Sequence, residues 1–330
     1  MKEAIIYFLI SFFIAMVVSP AVLWVLRRLK ARQTILHYVD FHKSKGGTPT
    51  MGGFIFIIPL VFLAIFILSP ESPLAWMVIL ASLGFAVIGF LDDYLKIRDR
   101  QNLGLRAYQK IIGQVGIAVL VAIFYFSINP EGRIFVPFFN VFIELGFMIL
   151  PMVFVAIIAT VNSVNLTDGL DGLAGSVSLF YLLFLGAIIG IVGTTYAFVP
   201  EAREITLIAA VTCGALFCFL LFNTNKAKVF MGDTGSLYLG SLIALLSIFS
   251  FMGAYLLILG LMFVISSMSD IIQVAYFKMT KRKYGAGRRV FLMAPFHHHL
   301  EKKGLTEAKI VFMYSAITIL VGLACVVTLV

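Results

Sequence analysis

The run EITLIAAVTCGALFCFLLF (204–222) passes through NTNKAKVFMGDTG (223–235) directly into SLYLGSLIALLSIFSFM (236–252). Each flanking run is apolar over the roughly 17–25 residues that a helix needs to cross a bilayer. The insert carries two lysines, a carboxylate and several amide or hydroxyl groups, all expensive beside lipid. This alternation predicts two membrane-spanning helices joined by a polar island at the membrane surface, and it runs the length of the chain. Ten such runs can be delimited, over about 4–26, 52–69, 74–91, 108–128, 147–163, 172–193, 204–222, 236–252, 254–277 and 308–330. The first is too long for the apolar part of a signal peptide and lacks a basic leader and a small-residue cleavage site, so it reads as a retained span.

Composition supports the same class. Of 330 residues, 61% are hydrophobic and 12% charged, with a mean hydropathy of +1.05, far more apolar surface than a soluble domain of this length needs. The net charge of +9 would suit nucleic acid, but the basic residues sit in short loops between spans, where a membrane surface is the partner. Cys213, Cys218 and Cys325 lie in apolar runs with no metal or redox spacing and read as inert buried thiols. The longest link on the sparsely charged side, 129–146, contains the β-favouring stretch 134–143 with a central Pro/Asn turn signal, which predicts a small hairpin between spans 4 and 5. Loops after the odd-numbered spans hold 22 Lys and Arg, and the other side holds only Lys2, Arg133 and Arg203. Positive loops face the cytoplasm. The expectation is therefore an all-α polytopic membrane protein of about ten transmembrane helices, with both termini outside, an extracytoplasmic hairpin and one domain over 1–330.

Five polar islands fall on the cytoplasmic side: 43–53, 92–94, 165–172, 230–236 and 295–301. Asp92 and Asp93 follow Phe90 and Leu91 with no spacer to bulk water, which makes them candidate bases or Mg²⁺ ligands. In Asn165-Leu166-Thr167-Asp168-Gly169-Leu170-Asp171-Gly172, Thr167 and Asp168 are candidate N-caps, and a helical turn would set Asp168 and Asp171 on one face. Gly232-Asp233-Thr234-Gly235-Ser236 offers N–H groups, a carboxylate and hydroxyls before a helix, a suitable cradle for a metal-bound phosphate. Phe230 is either an interfacial anchor or, beside Asn223, a face on which a base stacks. His297, His298 and His299 suit recognition of phosphate or sugar better than joint ligation of one ion. Lys45 precedes the glycines of its island, so the stretch is not a Walker motif, though its lysines add positive charge to this face. Asp270 and Gln273 lie inside span 9 and should face the bundle interior.

Taken together, Pro-Thr-Met-Gly-Gly (49–53), Asp-Asp-Tyr (92–94), Asn-Leu-Thr-Asp-Gly-Leu-Asp-Gly (165–172), Met-Gly-Asp-Thr-Gly-Ser (231–236) and Pro-Phe-His-His-His (295–299) resemble the phospho-N-acetylmuramoyl-pentapeptide transferases. The resemblance implies transfer from UDP-N-acetylmuramoyl-pentapeptide to undecaprenyl phosphate, giving lipid I and UMP with Mg²⁺, at the cytoplasmic face of a bacterial inner membrane and in a homodimer. It also implies roles. Asp92 and Asp93 match the acidic pair that activates the lipid phosphate. Asp233 matches the Mg²⁺ ligand, with Asp92 or Asp93 as a further candidate. His297 joins the catalytic set. Lys45, Thr50, Asn165, Asp168, Asp171, Asn223, Phe230, Gln273, Ala294, His297 and His298 match positions lining the nucleoside pocket, with His299 beside them. Lys96 and Lys110 match basic positions near the acidic pair. The chain departs from the family pattern over 33–40 and at Leu300.

Two other classes fit less well. A transporter for an anionic solute would place ionisable residues near the midplane within an inverted repeat, and the charged set here clusters at one face without a repeat. A scaffold leaves the acidic islands without a purpose. The sister enzymes that transfer N-acetylglucosamine 1-phosphate are the nearest alternative, and direct attack and a covalent aspartyl-phosphate route both remain open.

Overall fold

The computed structural model describes residues 2–29, 31, 47–99, 103–195 and 199–330. Lys45 and the stretch 33–40 lie outside the described residues. Among the described residues, nine helices are long and apolar enough to cross a membrane: α1 (Lys2–Arg28), α3 (Pro73–Arg98), α4 (Ala107–Ile128), α5 (Ile149–Thr167, led in by a 3-10 turn at Gly146–Met148), α6 (Leu173–Thr195), α7 (Ala202–Asn223), α8 (Gly232–Phe249), α10 (Leu261–Tyr284) and α12 (Glu307–Val327). The protein is a multi-pass, all-α membrane protein.

Two of the expected spans differ. The run over 52–69 forms only the 14-residue α2 (Phe54–Ile67), about 21 Å long against a hydrocarbon core of about 30 Å. It starts at Phe54 because Met51 takes a positive φ that a helix cannot continue through, and the free N–H groups of Gly52 and Gly53 ahead of the first turn donate to the carbonyls of Phe230 and Met231, at 2.8 and 3.1 Å. The run over 254–277 breaks into a single turn, α9 (Tyr255–Ile258), and α10, which continues to Tyr284 through the basic residues Lys278, Lys281, Arg282 and Lys283. Between α4 and α5, β1 (Arg133–Val136) and β2 (Val141–Glu144) pair antiparallel, with Arg133 opposite Glu144 and Val136 opposite Val141. The turn between them is Pro137–Asn140, where Phe138 and Asn140 take positive φ.

The axis of the bundle is α8, in which every residue from Thr234 to Phe249 is buried. It packs against α3, α5 and α6, and α7 in turn packs against α1, α2 and α6. Gly89 explains how α3 comes so close: a Cβ there would stand 2.1 Å from the carbonyl oxygen of Asp233, so any other residue would push apart the two helix ends that carry the acids. Lipid gives no hydrophobic drive between helices, and close backbone approach through small residues is what replaces it. By contrast, α10 keeps Ile271, Ile272, Val274, Phe277 and Met279 exposed and is buried chiefly near its start. A short helix, α11 (Phe296–Lys302), lies between α10 and α12.

Candidate active site

Helix α3 does not stop at the end of its apolar run but continues through Asp92, Asp93 and Lys96 to Arg98, so the acids are presented from a rigid helix. Asp93 points at the start of α8. Its Oδ1 accepts from the Asp233 N–H at 3.2 Å, and its Oδ2 accepts from the N–H and hydroxyl of Thr234 at 2.9 and 2.7 Å. The first N–H groups of a helix have no partner within it, and α8 has no capping side chain of its own. Asp93 supplies the cap from a different helix and places a carboxylate at the positive end of the α8 dipole. Gly232–Ser236 is therefore the first turn of α8 itself, not a loop preceding it.

Asp92, one position earlier, turns away by about 100°. Its Oδ2 lies 2.5 Å from Lys96 Nζ, and its Oδ1 accepts from the Leu105 N–H at 2.9 Å. Asp233 Oδ2 receives both Lys96 Nζ, at 3.1 Å, and Lys110 Nζ, at 2.7 Å. Asp233 Oδ1 accepts from Asn165 Nδ2 at 2.8 Å, and the same amide donates to Ser236 Oγ at 2.8 Å. Four helices thus converge on one carboxylate: α3 through Lys96, α4 through Lys110, α5 through Asn165 and α8 through Asp233 itself. One ligand atom from each of Asp92, Asp93 and Asp233 lies within 4.8 Å of the others. An all-carboxylate donor set of this size suits a hard divalent cation. Three carboxylates and two ammonium groups leave one net negative charge when all are ionised, so the residues fit such an ion.

The remaining islands close around this cluster. The Phe230 N–H donates to the Pro49 carbonyl at 2.8 Å, and a Cβ on Gly232 would meet Thr50 Oγ1 at 2.7 Å and Asp93 Oδ2 at 2.6 Å. Asp171 Oδ2 accepts from the Ala227 N–H at 3.0 Å, tying the loop after α5 to the loop after α7. Gly169 makes room for the histidines: a Cβ there would stand 2.4 Å from His297 Nε2 and 3.2 Å from His298 Nε2. His297 is fully buried, and its ring centre lies 4.3 Å from that of His298. Burial raises the Asp168 carboxyl well above the ordinary range, and the charges of Asp233, Asp93 and Asp171 push the same way.

Several expected details change. Thr167 and Asp168 end α5 instead of capping a new helix: Thr167 Oγ1 bonds back to the Ser163 carbonyl at 2.7 Å, and Asp168 is the C-cap. Residues 168–172 form turns, so Asp168 and Asp171 share no helical face. Asn223 is buried and already engaged, its Oδ1 accepting from the Gly172 N–H at 3.0 Å and its Nδ2 donating to the Val229 carbonyl at 2.9 Å. It fastens two loops, and the half-buried Phe230 follows Val229, the residue whose carbonyl Asn223 holds. The histidines lie on α11, not in a loop. Gln273 reaches from α10 to hold the loop before α11: its Oε1 accepts from the N–H groups of Val290 and Phe291 at 3.0 Å each, and its Nε2 donates to the Phe291 carbonyl at 3.2 Å. His299 Nδ1 accepts from the Leu292 N–H at 3.1 Å, and burial together with Lys303 keeps the imidazole below its usual pKa, favouring the neutral ring this bond needs. Gln273, Ala294 and His299 therefore belong to a histidine arm, separate from the acid cluster. Thr234 and Ser236, whose hydroxyls the sequence offers to a phosphate, serve Asp93 and Asn165, and the Leu105 N–H joins the site with no signal in the sequence. The Gly-Asp-Thr-Gly-Ser motif contained the first two, but which oxygen they serve depends on a different helix.

Residues 75–251 match the family described as Glycosyl transferase family 4. Over 95% of its length the chain is 37% identical to phospho-N-acetylmuramoyl-pentapeptide-transferase of Clostridioides difficile (strain 630), covering 94% of that protein. The enzyme of the same name from Halalkalibacterium halodurans is 38% identical over 96% of the chain and 95% of its own length, and that of Clostridium botulinum (strain Alaska E43 / Type E3) is 40% identical over 94% and 92%. The chain belongs to the phospho-N-acetylmuramoyl-pentapeptide transferase family. Membership accounts for the union of a hard-cation donor set with lysines at one end of a helix bundle. A transferase of phosphoryl-linked sugars must gather several anionic oxygens in one place, and it needs fixed positive charge to do so. In this transferase the positive charge is attached to α3 and α4, and the carboxylates that orient it are attached to α3 and α8.

Proposed function

We propose that this chain transfers phospho-N-acetylmuramoyl-pentapeptide from its UDP conjugate to undecaprenyl phosphate, releasing UMP and forming lipid I, with Mg²⁺ as cofactor and the site facing the cytoplasm. The observation that carries the reading is the buried Asp92–Asp93–Asp233 set with Lys96 and Lys110 on its oxygens. An oxygen of the acceptor phosphate attacks the phosphorus bonded to the sugar. The bond from that phosphorus to the bridging oxygen breaks, and UMP leaves with the electron pair. Attack of one anion on another is opposed electrostatically, and Lys96 and Lys110 lower that repulsion. Asp233 would hold the magnesium, with Asp92 as second ligand or as the base that takes a proton from the acceptor. When bound, the ion neutralises charge on the diphosphate oxygens. Both oxygens of Asp93 cap α8, so Asp93 positions Asp233; the oxygens of Asp92 meet Lys96 Nζ and the Leu105 N–H, and because Asp92 can take a proton without uncapping a helix, proton handling falls to it. Phe230 offers its face to the base, and Asn223 keeps the loop behind it in place. The apolar bundle serves the acceptor, whose tail reaches the site from the bilayer. The ratio of 22 to 3 basic residues supports the cytoplasmic orientation.

The test is UMP release from UDP-N-acetylmuramoyl-pentapeptide in sealed inside-out vesicles with added undecaprenyl phosphate. Release that requires the acceptor and Mg²⁺, without permeabilisation, is the expected result. Turnover of UDP-N-acetylglucosamine instead would move the chain to the sister activity, and turnover only from the opposite face would reverse the orientation.

A further inference from the structure

One turn deeper in the membrane than the acid cluster, α4 and α5 exchange a pair of amides that the chemistry above does not use. Asn162 Nδ2 donates to Gln114 Oε1 at 2.8 Å and to the Ile158 carbonyl of its own helix at 2.8 Å. Gln114 Nε2 lies 3.5 Å from Asn162 Oδ1, closing the return bond. Gln114 is fully buried. Deeper than the pair, the buried residues of the two helices are apolar or aromatic, Ala118, Val121, Ala122 and Tyr125 on α4 and Val153, Ile157 and Val161 on α5.

The spacing ties this pair to the site. Gln114 is four residues from Lys110 and Asn162 is three from Asn165, so each amide shares a helix face with a residue that reaches Asp233. We infer that Gln114 and Asn162 are positioning residues that set the register of α4 against α5, so that Lys110 and Asn165 meet on the same carboxylate. An apolar helix interface in lipid has little to define its register, because the lipid is as apolar as the neighbouring helix. A slip of one residue shifts a helix by about 1.5 Å and turns its side chains by about 100°. That displacement would break the 2.7 and 2.8 Å bonds to Asp233. A reciprocal amide pair is directional and is satisfied in a single register. Hydrogen bonds between membrane helices add little net stability, so the pair contributes more to geometry than to holding the bundle together.

The inference rests on the transferase reading, and the experiment separates the two. Acceptor-dependent UMP release is first measured with the unmodified protein in vesicles, and its absence would overturn the transferase reading. Gln114→Asn, which shortens the pair, is then compared with the swap Gln114→Asn/Asn162→Gln, which restores its combined length. Small misplacements of reacting groups can cost up to about a hundredfold in rate, and a loss of about tenfold in kcat is expected for Gln114→Asn. KM for the nucleotide should stay within about twofold, with the thermal midpoint nearly unmoved, because the residues touch no substrate. The swap should recover kcat to within about threefold of the unmodified protein. Unchanged kcat in Gln114→Asn, no recovery in the swap, or a kcat loss that merely follows the thermal midpoint would overturn the inference. Should Gln114→Asn fail to fold, Gln114→Met/Asn162→Leu leaves no amide unpaired. Slow turnover with preserved KM supports register control in that variant, and normal turnover overturns it.

Discussion

The acid cluster is held by charge across four helices, whereas the histidine arm is held by hydrogen bonds within one stretch of chain that runs from α10 to α11. In the cluster, Lys96 and Lys110 share Asp233 Oδ2, and Asp93 caps α8 from α3. Each of those contacts joins elements far apart in sequence. In the arm, Gln273 holds Val290 and Phe291, His299 holds Leu292, and His298 Nδ1 lies 2.8 Å from Glu301 Oε2, all within 29 residues of one another. The supporting helices differ in the same sense, α8 being buried along its length and α10 mostly exposed beyond its first turns. A rigid, fully packed support suits groups that must face a developing charge. A locally braced arm suits a contact that forms and releases with each substrate.

If the two regions divide the work in this way, chemistry should fail at one and binding at the other. The largest effect is expected for Asp233→Asn, which removes the carboxylate on which the cluster converges. Turnover should fall by about a thousandfold or more, the scale of losing a group that stabilises transition-state charge, while the thermal midpoint holds because relief of the repulsion among three crowded carboxylates offsets the lost pairing with Lys96 and Lys110. Asp93→Ala should differ by losing stability as well, by about 0.5–2 kcal/mol, because it leaves the first turn of α8 uncapped. Equal midpoints in Asp93→Ala and Asp233→Asn would remove the distinction between capping acid and reacting acid.

A smaller effect is expected in the arm. Gln273→Leu strips the acceptor from two N–H groups at the partly exposed Val290–Phe291 turn, a loss on the order of 1 kcal/mol. KM for the nucleotide should rise by roughly fivefold, with kcat little changed. A fall in kcat at constant KM would place the arm in the chemical step and erase the contrast.

The smallest effect is one of pH, and it probes the seam between the regions. Asp168 has its pKa raised in the folded protein by burial and by neighbouring carboxylates. The folded state therefore binds its proton more tightly than the unfolded state, where the carboxyl titrates near about 3.9. Stability is then full below that pH and declines as pH rises towards the raised value. Asp168→Asn removes this decline, so its thermal midpoint should fall less than that of the unmodified protein between about pH 4 and neutrality. Parallel midpoint curves would show that Asp168 is not held in its neutral form.

The sequence by itself determined the class, because the transfer of apolar side chains into lipid is additive along a chain and can be read from any run of sufficient length. It also marked the acids that the fold brings together, since Asp92, Asp93 and Asp233 are costly at the membrane surface. The hairpin strands were legible for a similar local reason, with a Pro/Asn turn between β-favouring residues. Helix ends were not. Glycines 52 and 53 read as the start of a span, yet Met51 takes a positive φ, the glycine N–H groups go to Phe230 and Met231, and α2 begins at Phe54. Asp168 read as a cap for the next helix, and it closes the previous one. Only the tertiary structure decided which acid caps α8, which lysines sit on Asp233, that Asn223 is spent on fastening loops, and that Gln114 and Asn162 lie opposite one another. Each of these is a hydrogen bond between helices, set by the angle and register at which they cross. Those follow from close packing of the whole bundle, which no local window of sequence contains.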